Sequence, residues 1–205
     1  MLWFCSAREG YTGVQMFTTQ LTESPWKNVE YVGDLLMKTY ELGEVHPHEN
    51  ALYFHSARQG SMGGKDIWKT VFDGETWLEP INISSVNTEA NESLPFITYD
   101  GNELWFTRTY MGTPGIFRSL KTEVGWSEPE LILSMFAGEP TLDALGNLYF
   151  VHHFFEHGAM IEADIYVAYR KDPLDLSHNV IEFNLSHAFE VLWVQRFKLC
   201  LITKQ

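Results

Sequence analysis

Basic residues, cysteines and long apolar runs are all scarce in this chain, and each scarcity closes off a class of function. Only 14 Lys and Arg stand against 27 Asp and Glu among 205 residues, a formal net charge of −13. Such a chain repels a phosphate backbone unless its basic residues gather in one patch; the sequence holds no such patch, so no nucleic-acid partner is expected. No uncharged apolar run approaches the roughly 20 residues that a bilayer-spanning helix needs, so no membrane insertion is expected either. Met1-Leu2-Trp3-Phe4-Cys5 lacks the basic region and long apolar stretch of a secretion signal. The two cysteines, Cys5 and Cys200, lie near opposite ends, and spacing alone leaves open whether they pair. Gly-x-Ser-x-Gly, His-Glu-x-x-His and Cys-x-x-Cys do not occur, so a complete hydrolase domain is not expected and no cofactor is implied. Aromatic residues, by contrast, are plentiful: 15% of a chain that is 45% hydrophobic, a composition suited to a single folded core.

The aromatics recur in order. Leu2-Trp3-Phe4, Leu52-Tyr53-Phe54, Leu104-Trp105-Phe106 and Leu148-Tyr149-Phe150 each begin a strand-like run. Each is followed by a second one: Val14 to Phe17, Asp66-Ile67-Trp68, Gly115-Ile116-Phe117 and Asp164-Ile165-Tyr166. A third landmark is Trp26, Trp77 and Trp126, the last two in Trp77-Leu78-Glu79-Pro80 and Trp126-Ser127-Glu128-Pro129. Pro95 and Pro140 each open an apolar run that ends in a Gly-Asn turn before the next Leu-aromatic-Phe. Each unit thus holds about four short strands at roughly the 40–50-residue period of propeller blades. The strand order within a unit is inner strand, Leu-aromatic-Phe strand, Asp-Ile-aromatic strand and outer strand. Stacking such sheets buries the aromatics between them.

These phrases resemble the WD-like propeller repeats of the Pro-Asp subtype, found in TolB-like β-propellers. The fullest match is Leu52 to Pro80, with Leu52-Tyr53-Phe54, Gly63-Gly64, Asp66-Ile67-Trp68 and Trp77-Leu78-Glu79-Pro80. The Pro-Asp-Gly turn itself is replaced by Tyr99-Asp100-Gly101 and by a shortened His48-Glu49-Asn50. The resemblance spans residues 1–171 and implies an all-β fold, a β-propeller of about four four-stranded blades. Such propellers serve as protein-binding platforms, gates on peptidases and ligand binders, and many act in the periplasm or at the cell envelope. The expected role is a non-catalytic module presenting its loop face to a protein or a small polar ligand. A carbohydrate-active or peptidase-associated propeller is the alternative.

Residues 172–205 carry no repeat landmark. Val180 to Leu185 could complete the outer strand of the fourth blade, and Phe189 to Leu201 fits either a strand or one face of an amphipathic helix. A strand at Glu190 to Val194 would supply the inner strand missing before Leu2 and close a four-bladed ring. The other expectation is an incomplete propeller, a fragment without independent function whose open blade faces would make it self-associate.

Candidate site residues follow from matched positions in the repeat. Arg8 and Arg58 fall at equivalent places and Arg108 two places earlier, where they could meet an anionic ligand or pair with a neighbouring carboxylate. Glu44, Glu92 and Glu139 lie near inner-strand starts, where carboxylates could line a pocket; glycoside cleavage would need two of them set across a sugar. His152, His153 and His157 form the densest metal-capable group, although His152 and His153 would face opposite sides of a strand. His46 and His48 share one face if extended. Gly60-Ser61-Met62-Gly63-Gly64-Lys65 departs from a phosphate-binding loop and reads as a tight turn held by Asp66. Phe72 to Trp77 resembles the Asp-box turn of sialidase-like propellers with altered spacing, and reads as an Asp-Gly hairpin packed by its Trp.

Overall fold

The computed structural model describes residues 2–7, 9–10, 15–21, 26–32 and 44–170; within them every regular element is a strand. The described strands form four antiparallel sheets in chain order. The first holds β1 (Leu2–Ser6), β2 (Gln15–Leu21) and β3 (Trp26–Tyr31). The second holds β4 (Val45–His48), β5 (Ala51–Ser56), β6 (Asp66–Val71) and β7 (Ile81–Asn82). In the third, β8 (Glu92–Ile97), β9 (Glu103–Tyr110) and β10 (Thr113–Thr122) run in order, and β11 (Gly125–Trp126) and β12 (Glu130–Leu133) both pair with β10. The fourth holds β13 (Ala137–Leu142), β14 (Leu148–Glu156) and β15 (Ala159–Ala168).

Carboxylates close the turns that make these meanders. Asp73 Oδ1 accepts the amides of Glu75 and Thr76 at 2.9 and 2.8 Å, beside Gly74 at φ 107°. Asp100 Oδ1 accepts from Asn102 N and Thr98 Oγ1, and Asp143 Oδ1 accepts from Leu145 N and Asn147 N. Those bonds, and at Asp143 above all the Asn147 side-chain amide donating to Oδ2 at 2.8 Å, hold all three carboxyls below the usual aspartate range. In the longer loop before β6, buried Asp66 accepts from Met62 N at 2.8 Å and Gly63 N at 3.2 Å. Only Gly60 of that loop's glycines has a positive φ; Gly63 and Gly64 are required by space, because a Cβ there would run into the Ala90 carbonyl and the Asn91 side chain of the following loop.

The Leu-aromatic-Phe strands explain the packing. Alternation sends Leu and Phe to one face and the central aromatic to the other. Leu52 and Phe54 pack with Met16 of the first sheet, and Trp3 joins them from β1. Tyr53 of the second sheet meets Leu104 and Phe106 of the third. Trp105 meets Leu148 and Phe150 of the fourth. The second, third and fourth sheets therefore lay their Leu-Phe faces on the sheet before, and the first, second and third their central aromatics on the sheet after. On the fourth sheet the face bearing Tyr149 is partly open, with Ile165 78% exposed. The segments discussed above for residues 172–205, and Cys200, lie outside the described residues, as does Arg8.

Candidate functional site

The first strands of the second, third and fourth sheets share one register. His46 faces Tyr53, Phe96 faces Trp105 and Thr141 faces Tyr149. Two residues earlier stand Glu44, Leu94 and Glu139, with Val45, Pro95 and Pro140 between. These nine residues line a cavity of about 270 Å³ where the three sheets converge.

A bulge in each strand aims the members that come from the third and fourth sheets. Pairing slips between Ser93 and Phe96 in β8 and between Gly138 and Thr141 in β13. Leu94 at φ 56° and Glu139 at φ 58° occupy the left-handed region, each directly before a proline, whose ring disfavours the right-handed helical alternative for the preceding residue. Both displaced amides find an acceptor on the preceding sheet. Leu94 N donates to His55 Nδ1 at 3.2 Å, and Glu139 N donates to Thr107 Oγ1 at 3.0 Å. His55 and Thr107 each stand three residues after their repeat's Leu, so the contact repeats with the fold. Cys5 holds the same place in the first sheet, and its thiol is raised by burial and then by the Glu44 carboxylate.

The cavity is electronegative and mostly polar. Burial, and then the Glu139 carboxylate, pushes the Glu44 carboxyl up. His153 Nε2 stands 3.8 Å from Glu139 Oε1, while its Nδ1 lies 3.3 Å from the Phe136 carbonyl. The His46 ring packs 4.6 Å from the Phe96 ring, and burial lowers it to about 4. Two carboxylates before walls of Phe96, Pro95 and Pro140 can accept hydrogen bonds from a small ligand and cover its apolar part.

The remaining sequence candidates go elsewhere. Glu92 is not equivalent to Glu44 and Glu139: the bulge gives Leu94 that place and turns Glu92 into the protein, where its fully buried carboxylate accepts from Arg108 Nε at 2.7 Å and from Thr88 Oγ1 and N. Arg108 also donates to the Val86 carbonyl and lies 4.5 Å over the Phe117 ring. Arg58 is buried over Phe54 and Trp68 at 4.9 and 5.3 Å, with its Nε donating to Ser56 Oγ. Neither arginine lines the cavity. The three histidines diverge: His152 packs with Phe154 and Tyr166, His153 turns to Glu139, and His157 is 91% exposed. Among the described residues no three His, Cys, Asp or Glu side chains gather as a metal site would need. Sequence reasoning missed His55 and Thr107, although their shared offset from the repeated Leu is visible once the repeats are aligned. Comparison with known protein families and with curated proteins finds no match for this chain.

Proposed function

We propose that the four sheets are successive blades of a β-propeller of the WD-like, Pro-Asp type, similar to TolB-like propellers, and that the chain is a binding module for a small polar ligand held in its axial cavity. The observation that carries this reading is the convergence of equivalent residues. Glu44, Leu94 and Glu139 come from matched positions of three sheets to one cavity, as side chains arranged about a common axis would. The repeated hand-over of a bulge amide to the preceding sheet supports the same rotation from sheet to sheet. The two carboxylates that line the cavity favour a ligand rich in hydrogen-bond donors. Saturation-transfer NMR of the full chain against mixed small amines, amino-acid amides and sugars tests it. The expected result is a binder whose signal disappears in Glu44→Gln/Glu139→Gln; no binder, or one indifferent to both substitutions, overturns the reading.

A second reading is favoured by one observation, the raised carboxyl of Glu44 beside a second carboxylate. Two carboxyls in one cavity, one of them made less acidic than the other, are the kind of pair from which glycoside cleavage draws its acid and its base. Release of nitrophenol from aryl glycosides, abolished by either Glu→Gln substitution, would replace the binding role with an enzymatic one.

A further inference from the structure

A second cavity, of about 530 Å³, opens between the first and second sheets, away from the axial one. Its aromatic walls come from two sheets. The Trp3 and Trp77 ring centroids are 5.8 Å apart with planes at 77°, and Phe72 meets Trp77 at 5.3 Å and 53°. Trp77 is held there by the Asp73 turn and by its bridge to Phe72. Tyr31 adds a fourth ring, its hydroxyl donating to Gln15 Oε1 at 3.3 Å. Glu30 and Glu49 supply two carboxylates, both exposed, and no Lys, Arg or His is among the described residues that line the groove.

We propose that this groove binds organic cations of the quaternary or methylated ammonium class. Ring faces carry negative electrostatic potential, and rings set nearly at right angles surround a compact charge from several sides. The two carboxylates complement a positive occupant and repel an anionic one, in a chain whose net charge is already −13. A sugar would stack best on one open ring face with its hydroxyls paired around the edge, which a steep aromatic corner does not offer. A bare metal ion would gain little from rings and would need converging oxygen ligands. A methylated ammonium group matches both features: it is large and weakly hydrated, so its methyl groups can leave water for the rings while its charge stays near Glu30 and Glu49.

Titration of the full chain with choline chloride at constant ionic strength, followed by tryptophan fluorescence and proton NMR, tests the site. Choline is expected to saturate, and its uncharged isostere 3,3-dimethyl-1-butanol to bind at least about tenfold more weakly. Glu30→Gln/Glu49→Gln should weaken choline at least about fivefold while leaving the urea unfolding curve unchanged, since both side chains are exposed. Glu44→Gln/Glu139→Gln should bind choline as the wild type does, which separates this site from the axial cavity and from the fate of the reading above. Absence of saturation, equal binding of the neutral isostere, preference for methyl glucoside over choline, or a loss confined to the Glu44/Glu139 variant would each overturn the proposal.

Discussion

His55 shows how one side chain can tie two sheets and set a pH limit. Its Nδ1 can accept the Leu94 amide only while unprotonated, and burial lowers the imidazole to about 4 from an ordinary 6.5. Because the unfolded chain takes up the proton first, the stabilisation is fully present above pH 6.5 and is lost as pH falls from 6.5 to 4; below 4 the loss is complete. A shift of that size corresponds to about 3 kcal/mol. Urea unfolding is therefore expected to give a markedly lower midpoint at pH 4.5 than at pH 7. In His55→Thr, with the residue that stands at the matching place in the third sheet, this difference should shrink to the part due to His46 and His152, whose pKa values burial lowers in the same direction. The capped aspartates act in a separate window, since their lowered carboxyls withdraw support only below pH 3.8.

At the scale of elements, loops are as tightly specified as strands. Gly63 lies against the backbone of Glu89 and Ala90, so Gly63→Ala forces two loops apart rather than displacing a flexible side-chain end. It is expected to cost about 1–3 kcal/mol and to lower the thermal midpoint without altering the circular dichroism of the folded state. Gly74→Ala meets no neighbour within 4 Å and is strained only by its φ of 107°. The strands themselves were legible: Leu-aromatic-Phe at four places marks β1, β5, β9 and β14, and the Asp-Gly and Gly-Asn pairs mark turns. The inner strands were legible in place but not in register. A proline after Leu94 and after Glu139 signals a departure from regular pairing, yet nothing local says that the register slips by one residue or which side chain it turns inward. That is why Glu92 reads as the partner of Glu44 and Glu139 in sequence and is found against Arg108 instead. The groove between Trp3 and Trp77 was invisible for a different reason, since its walls are far apart in the chain and meet only when the sheets stack.

Across the whole molecule, three shared cores join four sheets that could not be stable singly. Phe106 is fully buried where the second and third sheets meet. Phe106→Ala is expected to destabilise by about 3–5 kcal/mol, and calorimetry should show the same single transition at a lower temperature rather than the loss of one sheet. Independent melting of two parts would mean that the cores are not energetically linked. The opposed directions of Leu-Phe and of the central aromatic give every sheet a head and a tail. A second copy that imitated the native contact would have to join tail to head, a heterologous contact that closes into a ring where the turn from sheet to sheet completes a circle. Self-association by this route would stop at the number of copies that completes the circle, two where one copy spans half of it, and each junction would still be tail to head rather than face to face.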